Sequence, residues 1–162
     1  MTLVLGIDPG TATTGYGLVR QRENGNLEPV EHGIIKTPAG LPSPSRLSIL
    51  FHKLNELILF HHPDACAVEK LFFQRNVSTA LAVGQARGVM LLSISEAGLN
   101  VWEYTPTEIK KAITGYGKAD KHQIQEMVRM LLGLIDIPRP DDAADALAVA
   151  ITHLNTERYG EL

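Results

Sequence analysis

The chain has 162 residues and a mass of 17.7 kDa, with 44% hydrophobic and 20% charged residues, which is one ordinary globular domain's worth of chain. A net charge of −3 speaks against a uniformly basic nucleic-acid binder, and the N-terminus lacks the basic start and apolar core of a signal peptide. No apolar run reaches the ~18–20 residues that span a bilayer, so no membrane association is expected. The lone Cys66 excludes an intrachain disulfide and a cysteine-based zinc site, and makes the cytoplasm the expected compartment.

Leu3–Ile7 is a short apolar strand that ends in the turn residues Asp8-Pro9-Gly10. Gly15–Arg20 and Val30–Lys36 read as the next two strands, with Asn24-Gly25-Asn26 as hairpin signal, so the first three strands form an antiparallel meander. Pro42-Ser43-Pro44-Ser45 opens a helix whose Leu47, Leu50, Phe51, Leu54, Leu57 and Ile58 follow helical spacing, and His61-His62 falls in the loop beyond it. Ala65–Glu69 is a buried strand and Thr79–Glu96 a helix stopped by Gly98. Asn100–Tyr104 is a strand and Thr105–Ile113 a short helix. Asp120 and Gln123, in capping-box spacing, start a helix that runs to Leu132 before Gly133. Pro140 starts a last helix through His153. This order predicts an α/β fold with a mixed sheet: a meander, then crossover strands.

Four carboxylates draw the chemistry. Asp8 and Glu69 each close an apolar strand, and ligands of open α/β sheets sit beyond the carboxyl ends of the strands. Taken singly, Asp8 also reads as a turn residue and Glu69 as half of a surface ion pair with Lys70. Asp142 and Asp145 share one helical face, and Asp145 lies beside the stripe Ala144, Leu147, Ala148, Ile151 and Leu154. A charge beside a buried stripe costs free energy unless it is paired or metal-bound. Asp141 is accounted for by the helix dipole alone and Asp142 nearly so, whereas Asp145 lies too far along the helix for that. Together the four make an oxygen cage suited to Mg²⁺ or Mn²⁺, and two such ions about 4 Å apart can serve phosphodiester cleavage.

Leu5-Gly6-Ile7-Asp8-Pro9-Gly10 followed by Thr14-Gly15-Tyr16-Gly17 resembles the start of the RuvC family of bacterial Holliday-junction resolvases. Val68-Glu69-Lys70-Leu71-Phe72, the run Asn76 to Val89 ending Gly84-Gln85-Ala86-Arg87-Gly88-Val89, Gly117 to Val128, and Asp142 to Ala148 are similar to further family motifs in the same order. The resemblance implies a ribonuclease-H-like mixed sheet flanked by helices, with one nuclease domain over residues 1–156 and a short tail over 157–162. It also implies a homodimer, a working link to the RuvA–RuvB branch-migration complex, and Mg²⁺-dependent paired nicking of four-way DNA junctions. Asp8, Glu69, Asp142 and Asp145 become its catalytic and metal-binding acids. The resemblance departs at one point: no basic tail, such as some members of that family carry after the last helix, is expected here.

An actin-like ATP-binding domain begins with a similar strand, yet needs a second lobe that 162 residues cannot supply. A silent junction-binding scaffold would not need all four acids.

Charge is unevenly placed. Glu108 to Arg129 carries five bases against three acids, whereas Asp136 to Leu162 carries six acids against two bases. A basic shoulder beside an acidic centre suits a nuclease, although any single lysine could belong to a solvated helix face. Lys110, Lys118 and Lys121 are the DNA-binding candidates of the shoulder, and the resemblance places Lys110 and Lys121 near the scissile phosphate. Phe72 and Phe73 could each stack on an unpaired base or pack in the core; the resemblance makes Phe72 the exposed, stacking one and Phe73 the core candidate, with Arg75 and Asn76 as further DNA contacts. His153 is read as structural or surface, and Cys66 as a small apolar core residue. Small residues at Ala80, Ala82, Gly84, Ala86 and Gly88 allow a close approach, either within the chain or across a two-fold dimer axis.

Overall fold

The computed structural model describes residues 1–10, 12–70 and 76–160, the last four of these by backbone alone. Five strands, β1 (Thr2–Asp8), β2 (Thr13–Gln21), β3 (Leu27–Lys36), β4 (Ala65–Glu69) and β5 (Val101–Tyr104), form one sheet in the order β3-β2-β1-β4-β5. The first three pair antiparallel, whereas β4 lies parallel to both β1 and β5. This is the meander followed by crossovers that the sequence predicts. Gly25, at φ 85°, turns the β2–β3 hairpin.

Alternation along β1 assigns the two faces. Leu3, Leu5 and Ile7 pack with Cys66 and Val68 against α1 (Ser43–His61) and α2 (Val77–Glu96). Val4 and Ala67 point the other way, toward α3 (Pro106–Thr114), α4 (Lys121–Leu131) and α5 (Asp141–Gly160). The even-numbered face of β1 therefore ends in Asp8, and the face of β4 that carries Ala67 ends in Glu69. Burial pushes the Cys66 thiol up to about 12, as fits a core residue.

Helix ends follow local chemistry. Asp120 and Gln123 form the expected capping box, and Thr105 with Glu108 forms a second one at α3. α2 starts at Val77, before the expected Thr79, because the Asn76 side chain accepts hydrogen bonds from the Ser78 and Thr79 amides at 2.9 and 3.4 Å. His61 is the last residue of α1, not a loop residue, and its Nε2 meets the Glu31 carboxylate. α5 continues to Gly160, through most of the segment expected as a tail.

The expectation that no apolar run is long enough for a bilayer needs correction, since α2, at 20 residues, is long and apolar enough by length and composition. Gly84, Gln85, Arg87 and Gly88 break up the visible apolar run, while the helix as a whole stays apolar on average. Its Val83, Ala86, Met90 and Ile94 nonetheless pack into the protein core.

Candidate active site

β1 and β4 run parallel, with Ile7 opposite Val68. One register step further places Asp8 beside Glu69, both directed at α5. Asp8 is also paired with Gly15 of β2, and Gly6 with Gly17. These glycines let α5 lie directly on the sheet. A β-carbon on Gly6 would stand 2.1 Å from the Ala146 carbonyl oxygen, and one on Gly15 would stand 1.9 Å from that of Asp142. The first two turns of α5 are thereby seated against the ends of β1 and β2. Carboxylate oxygens of Asp8, Asp142 and Asp145 lie within 4.8 Å of one another, and the Glu69 carboxyl is hydrogen-bonded to that of Asp8. The four acids expected to act together are thus brought together.

So many carboxylates cannot all ionise cheaply in one partly buried place. Burial foremost, then the charge and hydrogen bond of Glu69, push the Asp8 carboxyl up to about 9. Burial also raises Asp145 to about 6, against the opposing pull of Lys121. Without a cation Asp8 keeps its proton at neutral pH. A hard divalent ion would replace it, and four carboxylates with no nitrogen or sulfur donor among them suit such an ion.

A cleft of about 340 Å³ opens beside the acids, lined by Glu69, Asp145, Lys110, Lys121 and the apolar Ile109 and Ile124. Lys121, at the start of α4, reaches Asp141 at 3.1 Å and Asp145 at 3.9 Å. Asp141 therefore does more than favour the helix dipole: it anchors a cation at the edge of the site. Lys110 shares this cleft, whereas Lys118 is exposed in the turn before α4 and does not line it. Asn76 spends its side-chain oxygen on capping α2. Phe72, Phe73 and Arg75 lie outside the described residues. His153 is buried, and its Nδ1 shares a 2.7 Å hydrogen bond with the Tyr104 hydroxyl, a structural role for that residue. A larger groove of about 1060 Å³ runs between β3 and α1, on the sheet face turned away from α5.

The family model described as crossover junction endodeoxyribonuclease RuvC matches residues 4–153. The chain belongs to the RuvC family. The RuvC of Rubrobacter xylanophilus is 60% identical over 156 residues, which cover 96% of this chain and 87% of that one. The RuvC of Chloroflexus aggregans is 57% identical over 160 residues, 96% of this chain and 97% of its own. Among solved structures, Thermus thermophilus RuvC in complex with a Holliday junction substrate superposes with a TM-score of 0.94. It is 37% identical, and the match covers 99% of this chain and 97% of that one. The RuvC resemblance and its ribonuclease-H-like architecture are thereby met across nearly the whole chain.

The sequence reading missed two elements of the site. Gly6 and Gly15 seat α5, and glycines inside strands were the available signal for a close backbone approach. Arg87, inside the motif Gly84 to Val89, hydrogen-bonds the main chain at Glu69, a contact that no local sequence signal announces.

Proposed function

We propose that the protein is a structure-specific endonuclease that resolves four-way DNA junctions by paired, metal-dependent nicks. One observation carries this reading: the carboxylates of Asp8, Asp142 and Asp145 converge within 4.8 Å beside a lysine-lined cleft, in a chain of the RuvC family. Asp8, Glu69, Asp142 and Asp145 are the residues that would hold divalent metal, in this reading two Mg²⁺ ions, with Mn²⁺ as substitute. When bound, such ions supply positive charge that favours ionisation of the attacking water and offsets charge on the leaving oxygen. A water oxygen bonds to phosphorus as the bond to the 3′ oxygen breaks, leaving a 5′-phosphate and a 3′-hydroxyl.

The protein's own groups bind and orient. Lys110 and Lys121 hold the phosphate backbone near the acids, with Lys118, Arg75 and Asn76 further along the DNA. Phe72, three residues beyond Glu69, stacks on a base unpaired at the branch point.

Two nicks placed symmetrically need two sites, and α2 offers a face for a two-fold dimer. Its Val77, Leu81 and Leu92 are 72%, 64% and 53% exposed, and nothing stands within 4 Å of a β-carbon on Gly84 or Gly88. Positions 77, 81, 84, 88 and 92 form one stripe at helical spacing. In this reading residues 1–156 act as one nuclease domain in the cytoplasm, working with the RuvA–RuvB branch-migration complex. The last point rests on family membership alone.

The direct test is a nicking assay on a four-way junction beside a linear duplex of the same sequence. Cutting of the junction in Mg²⁺, absent in EDTA and much weaker on the duplex, is expected. Full activity in EDTA, or equal cutting of both substrates, would contradict the reading.

A further inference from the structure

Arg87 projects from the inward side of α2 and is half-fixed before it meets the site: its side chain is 16% exposed and paired through Nη2 with Glu103 of β5. Its Nη1 donates a 3.0 Å hydrogen bond to the main-chain carbonyl of Glu69. The N–H of the same peptide unit, that of Lys70, donates to the Tyr104 carbonyl at 2.7 Å. The peptide that follows Glu69 is therefore held at both its polar ends, from opposite sides.

This matters because β4 stops at Glu69. Upstream, the ladder to β1 and β5 fixes the chain. Downstream, these two bonds take over the ladder's task. With the peptide on each side held, the Cα–Cβ direction of Glu69 is set, and the carboxyl is aimed at Asp8. Without Arg87 the carbonyl loses a charge-assisted donor, and the strand end gains freedom at the one residue whose side chain must meet Asp8. Glu103 neutralises the guanidinium and pins its plane, so the fork reaches the carbonyl in a fixed direction.

We propose that Arg87 is a positioning residue for the nuclease centre: pinned by Glu103, it clamps the main chain of Glu69 and so sets the geometry of the metal-holding acids. This rests on the nuclease reading above. It assigns Arg87 no contact with DNA, because Glu103 and the Glu69 carbonyl already engage it.

The test compares Arg87→Ala, Arg87→Lys, Glu103→Gln and the double variant Arg87→Ala/Glu103→Gln. Two quantities are read besides folding by circular dichroism: Mn²⁺ affinity by calorimetry without DNA, and single-turnover junction cleavage set against junction binding in Ca²⁺. Loss of an outer-shell partner typically costs about 10- to 100-fold in metal affinity or activity. Arg87→Ala should weaken Mn²⁺ binding and slow cleavage in that range, while junction binding stays within about two-fold of wild type. Arg87→Lys, which can reach one partner but not fork between two, should recover part of the loss. Glu103→Gln should give a smaller loss, and the double variant should be no worse than Arg87→Ala, because the two act as one unit.

Unchanged Mn²⁺ affinity and cleavage in Arg87→Ala would overturn the proposal. So would a loss of junction binding equal to the loss of rate, which would make Arg87 a DNA contact. Should Arg87→Ala fail to fold, Glu103→Gln decides, and normal values for it overturn the proposal. If wild-type protein binds Mn²⁺ but does not nick junctions, the nuclease reading falls, and the Mn²⁺ titrations alone judge the clamp.

Discussion

Gly15 and Asp142 meet backbone to backbone: a β-carbon on Gly15 would stand 1.9 Å from the Asp142 carbonyl oxygen. This contact seats the first turn of α5 against β2, and because Gly15 pairs with Asp8, it sets Asp142 beside Asp8. Gly15→Ala must push α5 outward, because the atoms its β-carbon would meet are main chain and cannot swing aside. A misplacement near 1 Å can cost about 100-fold in rate. We expect Gly15→Ala to fold, to bind junctions within about three-fold of wild type, and to cut them about 100-fold more slowly. Single-turnover cleavage with parallel binding measurements checks this.

The Asp8 carboxyl carries a stability cost with a definite sign. Its ordinary value is 3.8, and burial with Glu69 nearby raises it to about 9 in the folded protein. Between these values the unfolded chain has lost the proton and the folded one keeps it. The contribution of Asp8 to the stability of the metal-free protein is therefore greatest below the lower value and falls as pH rises toward 9. Asp8→Asn should flatten that fall and raise Tm of the metal-free protein at pH 8. In a domain of this size each 1 kcal/mol relieved raises Tm by about 2–4 °C. Thermal melts in EDTA across this pH range give the answer, and a Tm that rises with pH in wild type alone would reverse the sign.

The strands, helices and most caps were legible because their signals are local: alternation in β1, helical spacing in α1, and Asp120 with Gln123 at α4. Asp142 and Asp145 were legible as a pair from their spacing, and Asp8 and Glu69 from their places after apolar runs. What was not legible is what joins separate elements. A glycine in a strand does not say which helix lies on it. The partners of Arg87 are a carbonyl 18 residues earlier and a carboxylate on another strand. Asp141 looked like a dipole charge because its partner, Lys121, belongs to a different helix.

Dimer formation is read from the exposed stripe of α2. Leu81→Glu places a charge in its middle without disturbing the core, since Leu81 is 64% exposed. Light scattering should then report the 17.7 kDa monomer where wild type gives twice that mass. Paired cuts across a junction should give way to single nicks. An unchanged mass would place the dimer contact elsewhere.

Lys121 and Phe72 are expected to fail in different ways. Lys121→Ala should weaken binding to junctions with paired and with unpaired bases alike, and reduce the log–log salt slope by about one. Phe72→Ala should slow cleavage of the fully paired junction most, and lose less on a junction already unpaired at the cut. Salt titrations and single-turnover rates on the two substrates separate the roles. Equal losses on both substrates for Phe72→Ala would remove the stacking role.

The central claim is that four acids from β1, β4 and α5 form one metal centre that cuts the junction. Its most direct test is single-turnover cleavage of a four-way junction in Mg²⁺ by Asp8→Asn, Glu69→Gln, Asp142→Asn and Asp145→Asn, with junction binding measured in Ca²⁺ alongside. Each variant should lose cleavage and bind within about three-fold of wild type, because lysines and not the acids hold the DNA. A variant that cuts at close to the wild-type rate would contradict the account and take its residue out of the centre.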